Sequence, residues 1–208
     1  MQIILKYFPD LTNEQIILFE KMAPAYREWN EIINVIPRKE MDSFYELHVL
    51  HSLAIAKIIS FKAGTRILDV GTGGGFPGIS LAILFPACRF VLIDSMKKRI
   101  KVAQAVNEEL NLKNVTAIHV GVQDINEKFD FVASRAVAAF PVFVNMVKKN
   151  ISFNSQNTLQ NGIFYLKGGD FDEELKMFKN CAEVTDVSKF FTEPSFETKK
   201  VIYLPVGH

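Results

Sequence analysis

Cysteine and histidine are scarce in this sequence, and neither sign of charge is in clear excess. Two cysteines, Cys88 and Cys181, are too few for a disulfide framework or a zinc site, and four scattered histidines show no metal-ligand spacing. The net charge of +1 excludes a strongly basic protein that binds nucleic acid through its overall field. We therefore expect free thiols, no metal site, and any contact with nucleic acid to come from a local patch.

Long apolar runs are also missing. The first residues are apolar, but Lys6, Pro9 and Asp10 interrupt them, so the segment is too short for a signal or membrane helix. We therefore expect a cytoplasmic protein without a membrane segment. With 208 residues, 49% hydrophobic and 23% charged, the composition predicts one full-size folded unit.

The most informative stretch lies between residues 67 and 78. An apolar segment that carries Asp69 is followed by a glycine-rich turn and then by Pro77, a residue suited to the start of a helix. Buried parallel strands read as short apolar runs, and glycine permits positive φ and close backbone approach. The pattern predicts a strand, a tight loop and a helix, with a cofactor lying against the loop at the positive helix end.

Two cofactor classes fit this loop. Gly73, Gly75 and Gly78 satisfy G-x-G-x-x-G, and Asp94 follows Gly73 by 21 residues, near the spacing of a ribose-binding acid in dinucleotide enzymes. The same stretch also fits D-x-G-x-G-x-G from Asp69, the pattern of S-adenosylmethionine-dependent methyltransferases. A carboxylate there would repel a pyrophosphate but would attract the ammonium of a methionine moiety. This favours the methyl donor, while a glycine turn that only packs a helix onto a strand remains open.

Several motifs together resemble one family. They are DVGTGGGFPG at 69 to 78, LIDS at 92 to 95 with basic residues at 97 to 99, SRA at 134 to 136, and LKG at 166 to 168. With these motifs the chain, from about Trp29 to its C-terminus, is similar to the bacterial 16S ribosomal RNA guanine-N7 methyltransferase family (RsmG, formerly GidB). The resemblance implies an α/β class I S-adenosylmethionine-dependent methyltransferase fold. Such a fold has a Rossmann-like seven-stranded sheet, a C-terminal antiparallel hairpin and, here, an N-terminal helical cap.

Helical patterns precede the first predicted strand. Residues 1 to 62 are expected to form a helical extension packed on a methyltransferase domain of residues 63 to 208, the two making one structural unit. Thr12 and Gln15 form a capping box, Pro24 is expected to kink or restart the first helix, and a later helix is expected from about Ser43 to Ile59. Strands are predicted at 66–70, 89–93, 115–119, 129–134 and 162–166, helices at 77–85, 97–111, 141–149 and 171–179, and a hairpin from 183–191 and 199–206.

The resemblance implies that the methyl donor lies at the carboxyl ends of the first strands, where open α/β sheets bind ligands. Asp94 is expected to accept hydrogen bonds from ribose hydroxyls, a role compatible with capping the next helix. Val122 and Gln123 match a pair that brackets the adenine, although Gln123 replaces the usual Glu and so keeps a hydrogen bond without the charge. The expected cofactor-binding residues are Asp69, Gly71, Gly73, Phe76, Asp94, Val122, Gln123 and Arg135.

The acceptor side is expected to be basic and to lack an obvious general base. Guanine N7 has a lone pair and no proton to lose, and the Asn/Asp-Pro-Pro-Tyr/Phe motif of many amino-methylating enzymes is absent after the fourth strand. No residue stands out as certainly catalytic. Arg135 could orient guanine O6 or hold a phosphate, or it could form a structural ion pair. The RNA-facing candidates are Arg135, Lys167 and His48.

Two features of this side depart from simple expectations. His51 stands where the family usually has Asp, and both His48 and His51 could be ordinary surface histidines on a helix. Lys97, Lys98, Arg99 and Lys101 begin a helix, where the dipole disfavours cations, which suggests either phosphate contacts or a solvated face.

The function implied by the resemblance is methylation of N7 of one guanine in the 530-loop region of 16S ribosomal RNA. The substrate would be naked RNA, a precursor particle or the 30S subunit. A nicotinamide-dependent oxidoreductase would use the same glycines but would leave Asp69 and residues 134 to 136 unexplained. A non-catalytic RNA-binding or assembly factor would keep the fold and bind the donor without transferring its methyl group.

Overall fold

Seven strands form a single sheet in the computed structural model, which describes residues 1 to 206. They are β1 (Arg66–Val70), β2 (Arg89–Asp94), β3 (Val115–His119), β4 (Phe131–Arg135), β5 (Gly162–Gly168), β6 (Glu183–Asp186) and β7 (Lys199–Pro205). Their order across the sheet is β3-β2-β1-β4-β5-β7-β6. The pairs among β1 to β5 are parallel, whereas β7 is antiparallel to β5 and to β6. This topology confirms the expected Rossmann-like sheet with its C-terminal hairpin.

The helices cover both faces of this sheet. The α-helices are α1 (Gln2–Tyr7), α2 (Asn13–Ile32), α3 (His51–Leu53), α4 (Gly78–Leu84), α5 (Lys97–Leu110), α6 (Phe140–Val147) and α7 (Asp172–Leu175). A π-helical segment, Tyr45–Leu50, precedes α3, and the short 3-10 segments are Arg38–Glu40, Ala54–Lys57, Val122–Asp124, Lys148–Asn150, Lys176–Phe178, Val187–Lys189 and Pro194–Phe196.

Each face of the sheet carries its own hydrophobic core. Successive strand residues point to opposite faces, so Ile67 belongs to one core and Leu68 to the other. The first core joins the sheet to α4, α5 and the N-terminal helical residues, with Phe19 fully buried in it. The second joins the sheet to α6 and α7, with Phe143 fully buried in it. The N-terminal helices thus share a core with the sheet, while the division near residue 62 remains a prediction.

Helix α2 does not restart at Pro24, one of the two outcomes expected there. It begins with the predicted capping box, in which Gln15 N donates to Thr12 Oγ1 and Thr12 N donates to Gln15 Oε1. It then continues through Pro24 to Ile32. Proline removes the donor that would satisfy the carbonyl four residues earlier, and here the Tyr45 hydroxyl donates to Glu20 O at 3.2 Å, with Phe19 O at 2.9 Å. A side chain from the next segment therefore supplies the missing donor.

Other boundaries differ modestly from the sequence-based expectations. The helix expected from Ser43 to Ile59 is a run of π, α and 3-10 turns that ends at Lys57, and α1 was not anticipated. The helix after the glycine loop begins at Gly78, with Pro77 as its N-cap. The strand expected from Phe129 begins at Phe131, because Phe129 makes only an isolated bridge to Ile151.

The sparse cysteines are free thiols, Cys88 buried and Cys181 exposed. Among residues 1 to 206, no three histidine, cysteine or acidic side chains are grouped as they would be to hold a metal ion. Within the same range, no helix combines the length and apolarity needed to cross a membrane.

Candidate functional site

Asp69 braces the glycine loop from within. It lies on β1 with its side chain fully buried, and its Oδ2 accepts hydrogen bonds from Thr72 Oγ1 at 2.6 Å and from Gly78 N at 2.8 Å. Burial raises the pKa of Asp69 to about 7, although both hydrogen bonds oppose the shift. Its Oδ1 is buried and has no hydrogen-bond partner within the described part of the chain. The carboxylate thus fixes both ends of the loop, and its expected contact with an ammonium remains a prediction.

Asp94 holds the same loop from the end of β2. Its Oδ2 accepts from Gly73 N at 2.9 Å, and its Oδ1 accepts from Met96 N at 2.7 Å. The residue is 5% exposed, and each oxygen keeps a lone pair free of these bonds. Asp94 therefore orients the loop and the start of α5 together, and it still has acceptor capacity for a ligand hydroxyl.

Gly71 and Gly73 of the loop both adopt a backbone conformation that favours glycine, but their surroundings differ. Gly71 and Gly73 both have positive φ, +67° and +59°. A Cβ at Gly71 would lie 2.3 Å from Val137 Cγ2, so the loop after β4 packs closely there. A Cβ at Gly73 would meet no atom within 4 Å, which marks open space above the loop.

The N-terminal helices contact the glycine loop directly. Tyr26, on α2, is fully buried and donates from its hydroxyl to Gly74 O at 2.7 Å. Its ring lies 4.8 Å from that of Phe76, which is 3% exposed and also lies 5.5 Å from His48. Phe76 therefore joins the loop to the cap rather than facing solvent.

Arg135, at the end of β4, lies across the ring of Phe76, with its guanidinium carbon 5.2 Å from the ring centroid. It donates to His48 Nδ1 at 3.2 Å and to Leu47 O at 3.5 Å. Arginine can only donate, so His48 Nδ1 must accept, and the ring proton must be on Nε2. That nitrogen is 3.0 Å from Glu40 Oε2, to which it then donates.

The chain Glu40–His48–Arg135 therefore holds a neutral histidine. Burial, followed by the charge of Arg135, lowers the pKa of His48 to about 3. In this state His48 is a hydrogen-bond partner that orients Arg135, and a contact of His48 with RNA remains a prediction. The π-helical turn that carries it is a distortion often found at functional sites.

A cleft of about 360 Å³ lies between the N-terminal helices and the edge where β4 and β5 end and β7 begins. We call it the cap cleft, and its ionisable lining consists of Glu40, His48, His51, Arg135, Lys167 and Lys199. A larger cavity, of about 860 Å³, lies at the amino ends of β2 and β3. It lies at the opposite edge of the sheet from the glycine loop, whereas Arg135 and His48 of the cap cleft contact Phe76 of that loop. The cap cleft is therefore the concave surface beside the loop.

Lys167 lines this cleft but is already paired. Its ammonium binds both carboxylate oxygens of Glu174, and Glu174 Oε2 also accepts from Phe140 N at 2.6 Å. The Lys167 side chain is 15% exposed. To contact RNA, as the sequence suggested, the Lys167 ammonium would have to leave the Glu174 carboxylate. This role of Lys167 remains a prediction.

The predicted adenine-binding pair follows β3 at the same edge of the sheet. Val122 is 5% exposed and packs in the second core, whereas Gln123 is exposed and its amide donates to Asp124 Oδ2 at 3.1 Å. An apolar residue is thus fixed by the core while an amide beside it stays accessible. This arrangement suits a planar heterocyclic base, which has an apolar face and hydrogen-bonding groups at its edge.

The four cations at the start of α5 are exposed, and no ion pair involves them within residues 1 to 206. They begin three residues after Asp94, so they border the glycine loop on the side away from Arg135. These cations are Lys97, Lys98, Arg99 and Lys101.

Sequence reasoning missed three residues that the fold brings to the site. Glu40 and Tyr26 come from the N-terminal helical part, and their contacts with His48 and Gly74 have no local signature. Lys199 did carry a signal, because the returning strand of a C-terminal hairpin runs antiparallel to β5 and so must begin at the edge where β5 ends. Placing that strand explicitly would have put Lys199 beside Gly168.

The chain is similar to known proteins of one family. A sequence model of the family described as rRNA small subunit methyltransferase G matches residues 15–202. The chain is 56% identical over 206 residues to Ribosomal RNA small subunit methyltransferase G of Flavobacterium psychrophilum, covering 99% of this chain and 98% of that protein. It is 50% identical over 203 residues to the protein of the same name from Bacteroides thetaiotaomicron, covering 98% of each. The similarity therefore extends well before Trp29, where the motifs suggested it begins.

Solved structures that are similar in fold include methyltransferases. A SAM-dependent methyltransferase from Aquifex aeolicus aligns with a TM-score of 0.58 at 18% identity, covering 86% of this chain and 98% of that one. A SAM-dependent O-methyltransferase from Thermotoga maritima aligns with a TM-score of 0.56 at 16% identity, covering 76% and 65%. At these identities the likeness concerns the fold, which is that of class I methyltransferases.

Proposed function

This chain belongs to the rRNA small subunit methyltransferase G family, and we propose that its acceptor is N7 of one guanine in the 530-loop region of 16S ribosomal RNA. The family's reaction is S-adenosylmethionine-dependent methylation of small-subunit ribosomal RNA, and the nicotinamide alternative has no support among the relatives. The position on the base and the region of the RNA are the parts that we propose.

The residues around the glycine loop fit S-adenosylmethionine. Space is open above Gly73, Asp94 keeps acceptor capacity for ribose hydroxyls, and the buried Asp69 Oδ1 lacks a partner among residues 1 to 206. Val122 and Gln123 would hold the adenine, and Gly71 and Phe76 would border the methionine end. When bound, the cofactor supplies an electrophilic methyl group on a sulfonium.

One observation supports the N7 acceptor above others, namely the nature of the groups next to the loop on the acceptor side. Ser134 Oγ is occupied in donating to Val70 O at 2.7 Å, Arg135 stays protonated, and Glu40 accepts from His48. An exocyclic amine must lose a proton on methylation, whereas N7 has none to lose. Ser134, Arg135 and Glu40 are thus engaged and do not offer a base for such a proton, which suits N7.

The chain's contribution to the reaction is alignment and electrostatics. Holding N7 in line with the methyl group removes much of the entropic part of the barrier. Arg135, fixed by His48 and Phe76, would donate to guanine O6 or to a neighbouring phosphate. Positive charge moves from the donor to the purine during transfer.

The net charge of the chain bears on the form in which the RNA substrate is presented. The nearly neutral chain has few cations to spare for unstructured RNA. We propose that a folded particle, the 30S subunit or its precursor in the cytoplasm, presents the guanine and supplies part of the recognition. Neither a metal nor a membrane enters this proposal.

The decisive experiment is methyl transfer from labelled S-adenosylmethionine to 30S subunits from cells that lack the enzyme, with the modified base mapped. We expect one labelled guanine N7 in the 530 loop. Subunits from wild-type cells, already modified, are the control and should accept little label. Donor binding without label on any RNA would instead support the non-catalytic assembly factor.

A further inference from the structure

The charges lining the cap cleft do not balance. Its acid, Glu40, accepts from His48, and Lys167 is neutralised by Glu174. Arg135 and Lys199 form no ion pair within residues 1 to 206, although the negative charges of Asp69 and Glu40 act on Arg135. The cleft therefore carries more cations than acids, and this excess of positive charge suits an anionic ligand.

Lys199 is held in place without being paired. It begins β7 opposite Gly168 of β5, and a Cβ at Gly168 would lie 2.8 Å from Lys199 Nζ and 2.9 Å from its Cδ. The lysine side chain therefore runs over bare backbone that only glycine provides. Its neighbour Lys200 differs, because the Lys200 ammonium lies 3.6 Å from Asp186 and 5.7 Å from the ring centre of Phe171.

A second observation indicates that a ligand belongs in this cleft. His51 lines it, is 6% exposed, and has a buried Nε2 with no hydrogen-bond partner in the described chain. Burial, together with the charges of Arg135 and Lys199, lowers the pKa of His51 well below its usual value. A buried polar nitrogen without a partner is costly, and in the tautomer with the proton on Nε2 an incoming acceptor would satisfy it.

We propose that the cap cleft binds a phosphate group of the RNA strand, with Lys199 as its principal cation and His51 Nε2–H as a further donor. Arg135 is then left to face the guanine that the same strand carries. This inference rests on the proposed function, because it takes RNA as the acceptor.

The test compares Lys199→Met with Lys200→Met, which removes the same charge from the next position of the same strand. The substrate is unmodified 30S subunits. Binding to them is measured over a range of salt concentrations, which gives the slope of log affinity against log salt concentration. The affinity for S-adenosylmethionine is measured by calorimetry. We expect Lys199→Met to raise KM for the subunits about tenfold and to reduce the salt slope of binding by about 1. Donor affinity should stay within about twofold, since the substitution removes no donor contact. Lys200→Met should change KM by less than about threefold, because Lys200 is already paired.

Lys199→Arg keeps the charge and should restore most of the binding, and thermal melting checks that each variant is folded. Equal KM values and salt slopes for Lys199→Met and Lys200→Met would overturn the inference. Wild-type protein that labels no guanine N7 would contradict the proposed function instead. In that event the binding measurements still decide the role of Lys199, since a reduced slope supports it and an unchanged slope overturns it.

Discussion

The ligand edge of the sheet has two sides of opposite charge. The donor side, formed by the loop of residues 71 to 76 with Asp69 and Asp94, carries two buried carboxyl groups. The acceptor side, formed by the cap cleft, has more cations than acids, with Arg135 and Lys199 outside any ion pair in the described chain, and its histidines are neutral. Each side matches the charge of the ligand that we assign to it, a sulfonium cofactor on one and an RNA strand on the other.

The two sides also differ in how they are built. Donor-side groups come largely from one continuous stretch and are braced by short hydrogen bonds within it. Acceptor-side groups come from segments far apart in the chain, from Glu40 to Lys199, and meet only when the sheet is complete. Phe76 connects them, because it belongs to the donor loop and lies under Arg135. Substitutions should therefore separate donor binding from RNA binding.

Among the substitutions, Asp94→Asn should separate donor binding from RNA binding most strongly. The change preserves the size of the side chain but removes a charge that accepts from Gly73 N and Met96 N and, we propose, from the ribose. Loss of charge-assisted hydrogen bonds should weaken S-adenosylmethionine binding about 10- to 100-fold in calorimetry. Binding to 30S subunits should hardly change. Asp10→Asn, at an exposed site, is the control, and an unchanged donor affinity for Asp94→Asn would refute the ribose role.

Tyr26→Phe tests whether the cap supports the donor side. The variant leaves Gly74 O without its buried donor, so we expect a loss of about 1–3 kcal/mol in the free energy of unfolding, measured by denaturant titration. Donor affinity should fall with it. Tyr203→Phe is a matched control, because Tyr203 also donates to a backbone carbonyl, that of Gln160, but away from the loop. Equal donor affinity in the two variants would show that the cap does not hold the loop.

Much of the donor side could be predicted from sequence because its chemistry is local. A buried strand, a glycine turn and Asp94 have fixed spacing, and β1 and β3 match their predicted bounds. The acceptor side depends on long-range packing, so Arg135 was anticipated but its partners were not. No local pattern shows that Glu40 fixes the tautomer of His48, that Glu174 occupies Lys167, or that Tyr45 replaces the donor missing at Pro24.

The raised pKa of Asp69, about 7, predicts pH-dependent donor binding. Below this pKa the folded protein holds Asp69 protonated and neutral, and above it the carboxylate attracts a cationic ligand. Donor affinity should therefore rise from pH 6 to pH 8, by up to about tenfold if only the ionised form binds. The donor's own ionisation is the same for Asp69→Asn, so that variant is the control and should show a smaller rise. Parallel pH profiles for the two proteins would contradict the prediction.

The smallest expected effects concern the four cations of α5, which border the donor side yet have the charge of the acceptor side. If they bind phosphates outside the cleft, each single alanine variant at Lys97, Lys98, Arg99 or Lys101 should weaken 30S binding only a few-fold. The slope of binding against salt should fall by about 0.7–0.9 for each phosphate that the variant no longer neutralises. Lys113→Ala removes a cation just beyond the other end of α5, at the opposite edge of the sheet, and should leave the slope unchanged. Slopes equal to that of Lys113→Ala would make the four cations a solvated face and confine RNA recognition to the cap cleft.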